Sequence, residues 1–247
     1  EAKSRLAAGL HAELWTPAQV QDATAGRLNV QRVVSALWLP DEGRIHPLTL
    51  LAHLAKQARQ EGIHLIGGTE VASYEEMTTS EHGRQWHIAL SGGAWLNARA
   101  LISAVGPTAA PNARIYALAF ADDLPDNFPL FWDASPYTYA DFRPGNGRLG
   151  VSGGRYGRAG MTRRDNSYHQ RLAEAARRWL PELATREPIY KWAVDLAVTS
   201  DMIPAVRNFA TLAPGLSIEG LGSLGVLPGI VLGQRAGQHA AQDIQRM

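Results

Sequence analysis

The sequence predicts an α+β protein, and three patterns carry that prediction. Short apolar runs of strand character lie at 64–66, 69–74, 86–90 and 94–105, joined by tight turns. A second series of such runs follows Pro111, at 114–120, 137–143, 148–152 and 189–199. Helical periodicity is confined to a few segments, with Leu48, Leu51, Leu54 and Ala55 on one face of the clearest. A chain of 247 residues can bury a sizeable core as one large domain or two interleaved ones.

Residues 1–40 read as helical and then extended, with Thr16-Pro17 as a cap and first-turn pair. Asp41-Glu42-Gly43 is a turn, Pro47 opens a helix, and Gly62 stops it. The four runs from 64 to 105 then form an antiparallel meander beside that helix. Small residues and prolines from Pro107 to Pro111 mark a crossing between domains. Beyond it comes a second unit of sheet, with the turn Gly145-Asn146-Gly147 inside it and an amphipathic helix over 168–180 that ends at Pro181. A last strand at 216–219 leads into a last helix over 226–245.

Composition removes several function classes. With 24 basic and 23 acidic residues and no basic block, there is no electrostatic footprint for nucleic acid. The absence of cysteine excludes disulfides, thiolate metal sites, iron–sulfur clusters and a thiol nucleophile. The eight histidines are scattered without metal-ligand spacing, so no metal is expected, and His64 and His87 read as structural. The longest apolar stretch falls far short of the ~20 residues of a spanning helix. No targeting segment is visible; the expectation is a cytoplasmic protein whose first residue lies partway through a longer one.

Gly220-Leu221-Gly222-Ser223-Leu224-Gly225 fits a GxGxxG pattern between a strand and a helix. A dinucleotide-binding unit would also need a following strand and an acidic residue about 20 positions on, which the remaining sequence does not supply. What remains is a glycine turn that lets a ligand approach backbone, with the N–H groups and positive end of the next helix aimed at it. Gly229, Gly233 and Gly237 give that helix a flat face suited to close packing. Tyr137, Tyr139, Arg143, Arg155 and Trp192 are aromatic and basic residues on the second sheet, either packing or facing a substrate.

Several segments in order resemble the flavoprotein oxidoreductases of the D-amino-acid oxidase and glycine oxidase superfamily. They are 43–47 before a helix, 62–65, 69–71 and 100–106, then Phe142-Arg143-Pro144 with 147–149 and Gly153-Gly154. Trp192 with 199–201 and Pro204, and Gly220 with Gly225, Gly233 and Ala240, complete the set. The spelling is most similar to the branch containing gamma-glutamylputrescine oxidase. The resemblance implies an FAD domain interleaved with an antiparallel-sheet substrate domain: 1–40 a remnant of the substrate domain, 41–108 an FAD-domain segment, 109–205 the substrate domain, and 206–247 the closing strand and helix of the FAD domain.

It also implies roles. Val71 would lie against adenine, Ala104 to Gly106 near pyrophosphate and ribose, and Gly222, Ser223, Leu224 and Gly225 at the flavin pyrimidine edge. Tyr137, Tyr139 and Trp192 would form the wall facing the flavin, with Arg143 as anchor for a distal carboxylate. Two departures qualify this. The family's opening βαβ unit is not in the sequence, so a preceding segment or a partner chain would carry it. Where the family commonly holds the substrate carboxylate with an arginine, this chain reads Asp195-Leu196-Ala197, which points to an amine or N-substituted amine unless Arg143, Arg155 or Arg207 substitutes. The expected function is the C-terminal portion of a flavin-dependent amine or amino-acid oxidoreductase; the alternative is a non-catalytic scaffold that keeps the fold without flavin.

Overall fold

A computed structural model describes residues 2–43, 45–80, 83–105, 110–125, 127–133, 140–201, 203–222 and 225–246. Along the chain these form α1 (Ala2–Ala7), β1 (Glu13–Trp15), α2 (Pro17–Ala23), β2 (Ala36–Trp38), α3 (Pro47–Gln60), β3 (Val71–Thr79), β4 (Gly83–Leu90), β5 (Trp95–Ala98) and β6 (Leu101–Ser103). After them come β7 (Ala113–Ala121), β8 (Phe131–Asp133), β9 (Ala140–Gly145), β10 (Arg148–Arg158), α4 (Asp165–Trp179), β11 (Tyr190–Leu196), β12 (Ala205–Asn208), β13 (Gly215–Glu219) and α5 (Val226–Arg246). The mixture of helix and sheet is the α+β class that the sequence predicts. Two compact units emerge, each from two separated stretches: Glu1–Arg44 with Ala113–Asp195, and Ile45–Asn112 with Leu196–Met247.

The first unit is built on a five-stranded sheet in the order β11-β7-β10-β9-β8. Side chains alternate across a strand, so Tyr116, Leu118 and Phe120 share one face of β7, and the antiparallel register sets Leu149 and Val151 beside them. Phe142 and Pro144 continue that face on β9. α4 covers it with Leu172, Ala173, Ala175 and Ala176, all buried. Small residues on the helix let it sit close to the large ones on the sheet. Each fully buried Phe or Leu contributes about 1.5–3 kcal/mol, which makes this layer the main source of the unit's stability. At one end Arg114 is held by both Asp165 and Asp195, at 2.8 and 2.7 Å. The guanidinium holds the Asp165 carboxyl below its ordinary range. Ahead of the sheet, Thr16 and Gln19 cap α2 reciprocally, as the Thr-Pro pair predicts.

The second unit contains two three-stranded sheets. β3-β4-β5 is an antiparallel meander. The sequence extends this meander through 94–105, but the run breaks after Ala98 and β6 pairs parallel with β13 instead, in the order β12-β13-β6. The segment 64–66, also expected as a strand, has no ladder partner among the described residues, and Ile63, Leu65 and Ile66 are exposed. α5 packs through Leu232, Ala236 and Ala240 on Leu216 and Ile218. The glycine face of that helix does not serve as the packing surface within the unit, since a Cβ on Gly233 or Gly237 would meet nothing within 4 Å.

Two side chains tie the meander to the loop that feeds β13. Trp86 donates its indole N–H to the Pro214 carbonyl at 2.9 Å. Glu76 accepts from the amides of Thr211, Leu212 and Ala213 at 3.0, 2.7 and 3.0 Å, and from the Thr211 hydroxyl at 2.8 Å. Amide donors aimed at the charged form hold this carboxyl down at about 2. A depressed pKa means that the clamp contributes fully above about 4.5, the ordinary value, and is lost as the pH falls through about 2. Glu76→Gln is therefore expected to lower Tm at neutral pH and to flatten its dependence on pH between these limits; thermal melts across that range check it.

Candidate functional site

Each unit presents one surface with the features of a binding site. In the second unit it lies where β6 and β13 end. Their parallel register sets Leu101, Ile102 and Ser103 beside Gly215, Leu216 and Ser217, so both strands run out at the same end. Ala104 follows β6 there. Gly220 and Gly222 follow β13, with φ of +70° and +56°. In open sheets of this kind the carboxyl ends of parallel strands are where ligands bind. α5 starts immediately afterwards, its ladder beginning with the Gly229 amide on the Gly225 carbonyl at 2.9 Å. The N–H groups of Val226 and Leu227 have no acceptor within the helix, Pro228 has no N–H, and this end carries the helix's positive charge.

Glycine is demanded here by the protein itself. A Cβ on Gly220 would lie 2.7 Å from Thr199 Cγ2, and one on Gly225 would lie 3.2 Å from Leu221 Cβ. No charged side chain stands between Gly220 and Pro228. The turn therefore offers backbone donors with no competing carboxylate in the segment. Beside it is an apolar recess of about 260 Å³ lined by Pro204, Leu227, Pro228, Val231 and Leu232.

Of the predicted cofactor residues, the structure thus brings Ala104, Gly222 and Gly225 to one end of one sheet. Val71 begins β3 in the neighbouring sheet of the same unit, half exposed and at a register shift with β4. Gly106, Ser223 and Leu224 lie outside the described residues.

The second surface is the face of the five-stranded sheet opposite α4. On β9 and β10 it carries Arg143, Arg148, Gly150 and Ser152, the residues that alternate with buried Phe142, Pro144, Leu149 and Val151. Ala117 and Ala119 continue it on β7 and Trp132 on β8. On β11, the Arg148 guanidinium lies 5.0 Å over the Tyr190 ring, so Tyr190 belongs to this face, and Trp192 and Val194 follow by alternation. Asp195 and Ala193 have the opposite parity, one paired with Arg114 and the other packed on the core under α4. The floor is small residues and the margins are half-exposed aromatics.

Trp192 and Arg143, both singled out from sequence, therefore share this face, on strands separated by three strand spacings. Arg143 donates to the Ser152 hydroxyl at 2.5 Å. Tyr137 and Tyr139 lie outside the described residues, as does the side chain of Arg155. Arg207 belongs to the other unit, where it pairs with Glu219 at 3.4 Å. Sequence reasoning missed Arg148, Ser152, Tyr190 and Trp132. A usable signal was present for two of them: a tight turn with Asn146 and Gly147 at positive φ makes 140–158 a hairpin, and alternation from apolar Leu149 then places 148 and 152 on the far face. Among the described residues, Asp122, Asp123 and Glu182 form the one acidic group close enough to hold a cation. Arg27 already supplies a positive charge there, 2.7 Å from both Asp123 and Glu182.

The chain thus has two units, each built from two separated stretches, with a glycine turn at the end of a parallel strand pair. The chain is a member of the FAD-dependent oxidoreductase family called DAO, whose family model matches residues 1–238. Similar solved structures include the L-proline dehydrogenase of P. horikoshii, with 17% identity over 88% of this chain and 61% of that one, at a TM-score of 0.73. The glycine oxidase of Geobacillus kaustophilus has 18% identity over 98% of this chain and 65% of that one, also at 0.73. That of Bacillus cereus ATCC 14579 has 16% identity, with 99% and 67% covered, at 0.73. The chain spans less than two thirds of the length of the first two. No curated protein matches the sequence.

The glycine turn gives a paired prediction. Gly222→Ala forces a side chain into a left-handed backbone and is expected to cost about 1–2 kcal/mol. Gly233→Ala, at an exposed helical position with open space, is expected to stabilise by about 0.5–1 kcal/mol. Denaturant titrations of the two variants measure both.

Proposed function

We propose that this chain is the C-terminal portion of an FAD-dependent amine or amino-acid oxidoreductase. The observation that carries the reading is the convergence of Ala104 and the Gly220–Gly225 turn at the ends of two parallel strands, in a chain of this family. When bound, the flavin supplies the acceptor for the hydride that leaves the substrate carbon next to nitrogen. The chain's own residues do the rest. Backbone N–H groups at Gly222 to Gly225 and the positive end of α5 stabilise negative charge at the pyrimidine edge. Val71 would hold the adenine through its backbone, and the segment Ala104 to Gly106 would hold the pyrophosphate and ribose.

The open face of the five-stranded sheet serves as the substrate wall. Tyr137, Tyr139 and Trp192 orient and desolvate a neutral amine, and Arg143 holds a distal carboxylate. Position 196 is Leu, and the neighbouring carboxylate of Asp195 is committed to Arg114. This supports an amine or N-substituted amine over a simple amino acid.

The FAD pyrophosphate requires a further segment. Leu48, Leu51 and Leu54 on α3, with Ile102 on β6 and Val105, are apolar and exposed in the second unit. β6 also ends its sheet with an open edge. A dinucleotide-binding segment, in the same polypeptide or a partner, is the proposed cover for these residues.

Two measurements test this. The 247-residue chain alone is expected to retain FAD weakly or not at all after desalting; tight stoichiometric flavin would contradict the need for a further segment. In the protein carrying its flavin, anaerobic addition of a primary or secondary amine is expected to bleach the visible flavin band. A flavin that stays oxidised with every amine and amino acid tried would contradict the assigned activity.

A further inference from the structure

The glycine turn is backed by a segment to which the proposed function gives no task. β11 ends at Leu196, and residues 197–199 follow it without a strand of their own. Two side chains from this segment meet the turn. A Cβ on Gly222 would stand 3.4 Å from Val198 Cγ1, and one on Gly220 would stand 2.7 Å from Thr199 Cγ2. The course of the turn therefore depends on where Val198 and Thr199 are held. Past the end of a strand, main-chain groups lose their ladder partners and must find others. For Val198 a single side chain supplies both. Asn112 Nδ2 donates to the Val198 carbonyl at 2.8 Å, and Asn112 Oδ1 accepts from the Val198 amide at 3.0 Å. A carboxamide offers a donor and an acceptor side by side, as a peptide group does, so Asn112 stands in for a neighbouring strand. Its own main-chain N–H donates to the Leu196 carbonyl at 2.9 Å. Thr199 is fixed separately, its hydroxyl donating to the Ile203 carbonyl at 3.2 Å. All of these residues belong to the second unit.

We propose that Asn112 is a positioning residue for the glycine turn: by holding both main-chain groups of Val198 it keeps the Val198 methyl against Gly222 and so sets the direction of the turn's N–H groups. It touches no cofactor itself. Its bearing on the reaction rests on the reading of this turn as the flavin contact, but its hold on the turn can be measured without flavin.

Peptide-resolved hydrogen exchange on the flavin-free 247-residue chain is the test. The Gly229 amide, bonded to the Gly225 carbonyl, is the protected group that reports where the turn lies. Asn112→Ala removes the side chain and leaves the main-chain bond to Leu196 in place. It is expected to speed exchange about fivefold, the effect of one net hydrogen bond lost, in peptides spanning 196–201 and 220–230, with those of β3–β5 unchanged. Val198→Ala, which leaves Asn112 in place, should speed 220–230, and Val198→Ile, which keeps both γ carbons, should not. Faster exchange at 196–201 with none at 220–230 in Asn112→Ala would overturn the proposal. So would acceleration shared equally by β3–β5, or an unaltered 220–230 in Val198→Ala. In the protein carrying its flavin, Asn112→Ala is expected to shift the visible flavin band and Val198→Ile to leave it in place. A loosened turn beneath an unmoved flavin band would uphold the hold of Asn112 on the turn and contradict the turn as the flavin contact, so the two readings fail separately.

Discussion

The parallel pairing of β6 with β13 is the constraint on which the second unit depends. It joins residues 101–103 to 215–217, with the whole of 104–214 looped out between them. Closing so long a loop costs conformational entropy, and the three-residue contact alone is too short to offset it. The clamps of Glu76 and Trp86 on residues 211–214 share that cost by fixing the approach of β13 before it meets β6. Once the pair is set, the direction of β13 places the glycine turn, and the turn places the start of α5.

The looped-out stretch has its own logic. Its sheet is one-sided: large residues of β7, β9 and β10 go under α4, while alanine, glycine, serine and arginine face away. The apolar layer that stabilises the unit is thereby confined to one face of these strands. Arg114 and its two carboxylates pin the β7–β11 end of this layer to the start of α4, so the face that carries Trp192 and Tyr190 is supported from behind.

How far this was legible in the sequence depends on whether the signal was local. Helix starts and stops were, because Thr16, Pro47 and Gly62 act within one turn of where they stand. The antiparallel meander was, because its strands are sequence neighbours. The departure of β6 from it was not, since nothing within 94–105 announces a partner at 215–217. The unpaired run at 64–66 has the composition of a strand, but composition does not supply a neighbour. The glycine turn was readable from spacing, and Trp192 and Arg143 as aromatic and basic residues on the second sheet; the roles given to them are proposals. The face of Arg148 was readable from hairpin alternation, but its contact with Tyr190 was not, because it joins two strands that are not adjacent in the sheet.

Hydrogen exchange resolved by peptide, on the protein carrying its flavin and on the same protein stripped of it, tests the proposal that the carboxyl ends of β6 and β13 hold the cofactor. Flavin is expected to slow exchange in peptides spanning 100–105 and 220–228 and to leave those of α4 unchanged. Flavin that protects other segments and leaves these two unaltered would contradict it.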